Sequence, residues 1–232
     1  MKSSCSIYLI CPSPVFNLQE VPEFDSFDKQ NSSNLYSALI LNHKENFVYF
    51  KDKHVKIVYC FNEKDKDFIP SELADNSEIQ ISNCNEKNSA FKMLSEKYFT
   101  SYNKNLLIFS SSIGFTPAEL DKVFDLLSMD DETIVLGKCG NDNIGFIGFN
   151  TYIPEFFSNI NFDNLDYNSL LAEVNKHDNF VHVMGDYMVI KSLDDFKKLY
   201  TELSKKESWA YCNQDMHEQF THLFIEYKDI LK

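Results

Sequence analysis

Leu106-Leu107-Ile108-Phe109-Ser110-Ser111-Ser112-Ile113-Gly114-Phe115-Thr116-Pro117-Ala118-Glu119 is the stretch that decides the fold. A four-residue apolar run fits a buried strand. Thr116 and Glu119, three apart with Pro117 between them, form a capping box that opens a helix. Downstream, Thr133 to Leu136 is a second apolar strand. A Gly/Asn turn at Gly140 to Asn143 leads to a third strand ending Phe146-Ile147-Gly148-Phe149. In α/β sheets, ligands bind beyond the carboxyl ends of the strands. Those ends carry serine, glycine and asparagine, where metal chemistry would want carboxylates. The stretch has the framework of a ligand site without its acidic residues.

The elements on either side extend the same alternation. Ser6 to Cys11 is a short apolar run that suits a first strand, ended by Pro12-Ser13-Pro14. A polar stretch to Ser32 has the length of an active-site-type loop. Ser33 then caps a helix to about Asn46, and Val55 to Phe61 and Ile79 to Ile81 are further strands. Asn88 to Tyr102, Tyr167 to Lys176, Leu193 to Ser204 and Gln214 to Ile230 have helical spacing. Ser192 and Asp195 cap the third of these helices. Strands alternating with helices predict an α/β fold, a three-layer arrangement of a mostly parallel sheet with helices on both faces. The expected organisation is one domain over residues 1–232, with a C-terminal helix at about 210–230 packed on it.

Composition narrows the function classes. The chain has 232 residues, is 44% hydrophobic and carries a formal net charge of -13. All 22 basic residues are Lys. An acidic chain without the bidentate fork of Arg is poorly suited to nucleic acid, whose backbone must be neutralised. No apolar run reaches the length of a membrane span. Six scattered cysteines lack metal-ligand spacing and fit small hydrophobes kept reduced, hence a cytoplasmic protein.

Other clusters have ordinary explanations. His177-Asp178 and His182 could do acid/base work, but no nucleophile elbow accompanies them. Glu23, Asp25 and Asp28 fit a solvated acidic patch. His217 and His222 are not at i, i+4 spacing and make no metal pair, and Trp209, Tyr211 and Phe220 fit helix packing.

Taken in order, Ser110 to Pro117, the capped helix, Thr133 to Gly137 and Asn141 to Phe149 resemble a family. It is the small bacterial GT-A-type glycosyltransferase family that includes arsenosugar-biosynthesis-type enzymes, within the nucleotide-diphospho-sugar transferase superfamily. The resemblance spans about Ser6 to Leu199. It implies a nucleotide-diphospho-sugar donor and a cleft lined by Pro12, Pro14, Ser111, Ser112, Gly114, Asn141 and Asn143.

The family's ligand-handling residues are mostly replaced. Its P-x-P-G-x-x-K-T-R-L segment becomes Pro12, Pro14 and then Val15 to Val21, with Leu18 and Glu20 where basic residues would stand. Ser111 takes the place of the aspartate in G-S-D-x-P-G-L-T-P, while Gly114, Thr116 and Pro117 remain. The D-G-G-Y-Y-L-I-G turn becomes Asn141 to Gly148, with Asp142 its single acidic residue. The D-V-D-T-x-x-D-L segment becomes Val189 to Phe196, with Lys191 for one aspartate.

These replacements lead to a catalytically impaired, pseudoenzyme-like protein on a transferase scaffold, with no metal site and no cofactor. Mg or Mn would enter only if the family mechanism were retained. The alternative is an active glycosyltransferase or nucleotidyltransferase with Asp142 and Lys191 as non-standard catalytic residues. A second alternative is an unrelated α/β binding protein. Expected partners are a nucleotide sugar or other small molecule, with a protein partner or homodimer also open. Ser111, Asp142 and Lys191 are expected to lie outside the core.

Overall fold

The computed structural model describes residues 4–11, 29–73, 77–83, 88–140, 142–162, 165–205, 211–229 and 231. Among the described residues eight strands form the sheet: β1 Cys5–Ile10, β2 Lys56–Asn62, β3 Glu78–Ser82, β4 Lys104–Phe109, β5 Ser112–Ile113, β6 Thr133–Cys139, β7 Asn143–Phe149 and β8 Phe180–Val189. Their spatial order is β3-β2-β1-β4-β7-β6-β8-β5. The pairs β1/β2, β2/β3, β1/β4 and β6/β8 are parallel. Only β7 and the two-residue β5 run against the rest. The sheet is mostly parallel, as the alternation of elements predicts.

Helices cover both faces: α1 Lys29–Phe47, α2 Ser89–Leu94, α3 Pro117–Leu126, α4 Pro154–Asn159, α5 Tyr167–Val174, α6 Leu193–Leu203 and α7 Gln214–Glu226. Side chains alternate across a strand, so each strand feeds two cores. Ile7, Leu9, Leu106 and Ile108 pack with Ile40 and Phe47 of α1 and Leu120 and Val123 of α3. Tyr8, Leu107 and Ile147 face the other way, onto Phe91, Phe99, Phe157 and Leu170. A third core lies outside the sheet. There Leu35 and Leu39 of α1 meet Phe196 and Leu199 of α6 and Met216 and Phe220 of α7. Apolar residues on two sides bury α1 between the sheet and the C-terminal helices.

The structure moves several boundaries. Helix α1 begins at Lys29, within the stretch expected to be irregular, and Ser33 is interior to it. Its polar first turn carries no apolar periodicity to reveal it. The helix expected over Asn88 to Tyr102 is α2 followed by a π-helical turn, Ser95–Phe99. The wider turn lets the neighbours Tyr98 and Phe99 both be buried, with ring centroids 5.8 and 5.4 Å from Tyr8. The predicted capping box is present: Glu119 N–H donates to Thr116 Oγ1 at 3.2 Å, and Thr116 N–H to Glu119 Oε2 at 2.8 Å. The C-terminal helix ends at Glu226, short of Ile230. Short helix α4, which no sequence periodicity marks, packs Phe156 and Phe157 into the second core. None of the five described cysteines is in a disulfide.

A buried amide joins β1, β4 and the π turn. Asn105 Oδ1 accepts from Ser6 Oγ at 2.9 Å and Tyr8 OH at 3.1 Å. Its Nδ2 donates to the carbonyls of Phe99 at 3.2 Å and Tyr102 at 3.1 Å. Asn105→Leu removes this hub and strands the Tyr8 hydroxyl in an apolar core. It is expected to cost about 2–4 kcal/mol in urea unfolding at neutral pH. A loss below about 1 kcal/mol would show that the network does not hold the sheet.

Candidate functional site

From β1 the chain steps outward to β2 and β3, then crosses back to β4 on the other side of β1. Such a reversal opens a crevice at the carboxyl ends of the two central strands. Cys11 and Ser110 lie at this point, bonded to the neighbouring strands through Cys11 N–H to Cys60 O and Ser110 N–H to Ile10 O, both 2.9 Å. The segment after β4 then crosses the top of the sheet. Ile190 N–H donates to Ser111 O at 2.8 Å, and Ser112 and Ile113 pair with Val189 and Met188 of β8. Three strand ends are thereby laced together.

Helix α1 fixes this segment from below. His43, wholly buried, donates from Nε2 to Ser112 O at 2.8 Å. Its ring stacks between Phe47 and Phe115 with centroids 6.0 and 5.6 Å away. Asn46 Nδ2 donates to Phe115 O at 3.3 Å, and Asn42 Nδ2 to Tyr211 O at 3.2 Å. Asn42, His43 and Asn46 escaped the sequence reading as polar punctuation of a helix. Their clustering on one turn of a helix with an apolar flank is the signal that could have found them.

The candidate residues fall into separate roles. Ser111 and Ser112 are buried, which corrects the expectation that Ser111 lies outside the core. The Ser112 hydroxyl is turned inward onto the carbonyls of Phe109 and Gly145, the latter at 3.1 Å, and so is already engaged. Gly114 holds φ +106°, and a Cβ there would lie 3.1 Å from the Tyr211 ring. Gly145 gives the room for this packing, since its Cβ would stand 2.7 Å from Cys139 Sγ. These positions build the floor of the cleft.

At the rim, Lys191 Nζ donates to Asn143 Oδ1 at 3.0 Å, joining the end of β8 to the start of β7. Among the described residues no carboxylate forms an ion pair with Lys191, although Asp195 accepts from its backbone N–H at 3.2 Å. The residue is exposed as a whole, yet packing removes water from the ammonium and holds its pKa below the ordinary lysine value. Cys139 and Asp195 pull in the opposite direction. The buried Cys139 thiol is itself pushed up to about 12.

Asp142 neighbours Asn143 in sequence but turns to α5. Its carboxylate accepts from Asn168 Nδ2 at 2.9 Å and its carbonyl from Tyr167 N–H at 2.8 Å. The structure thus brings Ser111, Ser112, Asn143 and Lys191 together and engages Asp142 elsewhere. Pro12, Pro14, Asn141, Trp209 and the acidic patch at Glu23, Asp25 and Asp28 lie outside the described residues. His177 stands 3.9 Å from Glu173, edge-on to Phe156.

The described residues at these strand ends offer a divalent cation few carboxylates. Ser111 offers a hydroxyl and no carboxylate, and Asp195 serves a helix cap through Ser192. Among the described residues, no group of three or more His, Cys, Asp or Glu side chains is placed to hold a metal. No described helix is long and apolar enough to cross a membrane. A groove of about 910 Å³ lies at the opposite end of the sheet, lined by Tyr102, Lys104, Met129, Asp130, Asn150 and Tyr152. It contains none of the candidate residues, and the site is placed at the carboxyl ends on the ground given above.

No protein-family model and no curated protein matches the chain. Solved structures do. A candidate nucleotide-diphospho-sugar transferase from Desulfovibrio desulfuricans G20 superposes with a TM-score of 0.77 at 16% identity, over 100% of this chain and 97% of that one. A cytidylyltransferase from Leptospira borgpetersenii serovar Hardjo-bovis gives 0.55 at 12% identity, over 100% and 97%. The manganese complex of Rv0371c from Mycobacterium tuberculosis H37Rv gives 0.52 at 11% identity, over 84% and 97%. At these identities the likeness establishes the fold, that of nucleotide-diphospho-sugar transferases.

His43 makes the site's integrity measurable. Burial pushes its pKa down from 6.5 to about 4, against the pull of the Ser112 and Ser110 carbonyls. The folded state therefore holds it neutral, while the unfolded chain takes up a proton once pH falls below 6.5. Its contribution is complete above pH 6.5 and is lost as pH drops towards 4, about 3 kcal/mol in all. Urea unfolding of His43→Gln at pH 7 and pH 4.5 is expected to show a flatter pH dependence than the parent. An unchanged slope would mean that His43 does not titrate on unfolding.

Proposed function

We propose that the strand-end cleft binds an anionic small molecule of the nucleotide or nucleotide-sugar class without a divalent cation. On this reading the metal-dependent glycosyl transfer implied by the motif resemblance is lost. The observation that carries it is the Lys191 ammonium, held by the neutral Asn143 amide at the strand ends of a chain with net charge -13. Among the described residues no carboxylate forms an ion pair with this ammonium, which leaves it open to an anionic ligand, and lysine serves phosphate as a point charge. The transferase fold supports the ligand class. The manganese of one structural neighbour is not carried over, because no group of three or more His, Cys, Asp or Glu side chains is placed to hold a metal among the described residues.

The roles follow from position. Lys191 supplies the charge, Asn143 orients it, and Gly114 with the Ser110 to Ser112 segment forms the wall against which the ligand lies. The motif resemblance adds Pro12, Pro14 and Asn141 to the proposed ligand-binding residues. Asp142, bonded to Asn168, is the remaining candidate for a catalytic base should transfer survive.

Thermal unfolding with nucleotides and nucleotide sugars, each with and without Mg²⁺ or Mn²⁺, tests the proposal. A ligand at about 100 times its Kd is expected to raise the midpoint by about 5–10 °C, equally without metal. Lys191→Ala should fold normally and lose the shift. A shift that requires metal, or none with any ligand, overturns the proposal.

A further inference from the structure

The groove of about 910 Å³ at the amino ends of β4 and β6 is enclosed by three connections. They are drawn from residues 99–104 before β4, 127–131 after α3 and 150–152 after β7. Its volume falls in the range of small-molecule sites, about 300–1,000 Å³.

Hydrogen bonds fix each wall from beneath. Asn150 Oδ1 accepts from Thr133 N–H at 2.8 Å, and its Nδ2 donates to the carbonyls of Leu127 at 3.0 Å and Asp130 at 2.6 Å. Thr133 Oγ1 donates to the same Asp130 carbonyl at 2.9 Å. On the facing wall, the buried Asn105 amide holds the Tyr102 carbonyl at 3.1 Å. Tyr152 packs its ring against Phe157 and Phe99, with centroids 5.3 and 5.7 Å away. Lys104 reaches across and donates from Nζ to Ser128 Oγ, which itself donates to Phe124 O at 2.6 Å. The walls are thus set in the free chain, which lowers the ordering cost of binding.

The lining narrows the ligand. One lysine stands against two aspartates in a chain of net charge -13, and that lysine is already engaged with Ser128. A phosphate or carboxylate would be repelled there. Asp130 and Asp131 are exposed, so water and salt weaken their hold on a free cation, and the Lys104 ammonium opposes it. An apolar ligand would cover the carboxylates and the Asn103 amide without giving them partners. A neutral ligand with vicinal hydroxyls meets none of these objections. Its hydroxyls donate to the carboxylates in charge-assisted bonds, while its C–H faces rest on the ring carbons of the half-buried Tyr102 and Tyr152. Met129, 67% exposed, adds a pliable apolar rim.

We infer that this groove binds a neutral saccharide, with Asp130 and Asp131 accepting from its hydroxyls and Tyr102 and Tyr152 carrying its ring face. The inference concerns the opposite end of the sheet from the Lys191 cleft and stands whether or not that cleft takes a nucleotide.

Saturation-transfer NMR tests it, with maltotriose, cellotriose and triacetylchitotriose as probes beside spermidine and glucose 6-phosphate. At least one trisaccharide is expected to bind with a Kd of about 1 mM or tighter. The backbone amides of Asn103, Asp131 and Thr151 should shift as it does so. Replacing both carboxylates, Asp130→Asn with Asp131→Asn, should leave the unfolding midpoint unchanged and weaken that binding at least about fivefold. The inference is overturned if no trisaccharide responds at about 20 mM. Tighter binding of spermidine or glucose 6-phosphate than of every trisaccharide overturns it too, as does saccharide affinity that the double substitution leaves intact.

Discussion

The bond from His43 to the Ser112 carbonyl is the constraint on which the strand-end site depends. It crosses from the first helix to a segment nearly seventy residues later, and nothing apolar could replace it. The Ser110 to Phe115 segment leaves β4, passes over the antiparallel β7 and joins β8, so its carbonyls are withdrawn from the main ladders. Burying an unpaired carbonyl costs about 1–3 kcal/mol, and a neutral histidine in the core supplies the donor. Phe47 and Phe115 on either side of the ring remove water, which keeps the imidazole neutral and its Nε2 proton on the carbonyl.

That arrangement explains why the cleft's serines are poor candidates for chemistry while its lysine is a good one for binding. Ser112 satisfies the main chain and Ser111 lies beneath the surface, so both serve the floor. Lys191 sits on the last residues before α6, outside the lacing, where its Nζ reaches Asn143. A fold can keep a site's geometry while exchanging its charges, because the geometry is held by glycine, proline and backbone bonds. Gly114 is the clearest case: its positive φ favours a residue without Cβ, and an added Cβ would press on the Tyr211 ring.

Much of the fold was legible in the sequence. The runs at Ile7 to Ile10, Leu106 to Phe109 and Thr133 to Leu136 are strands, and the Thr116 capping box and the Ser192 cap begin helices where expected. Local patterns carry these because hydrophobic period and cap chemistry act within a few residues. The start of α1 and the π turn at Ser95–Phe99 were not legible. The first turn of α1 has no apolar stripe, and the π turn exists to aim two adjacent aromatic rings at Tyr8, a residue about ninety positions away.

For the site, the motif resemblance placed Ser111, Ser112, Gly114, Asn143 and Lys191 on one end of the sheet, and the structure gathers the segments that hold them. By itself the sequence determined the α/β class, the caps, and the run of serine, glycine and asparagine at these strand ends, because each depends on residue type at short spacing. Only the tertiary structure decided that Ser112 is spent on backbone carbonyls, that Asp142 turns to Asn168, and that β8 pairs with β6 along its length and with β5 at its end. Those outcomes depend on which distant backbone groups need partners and on strand order, and neither is written in any local run of residues.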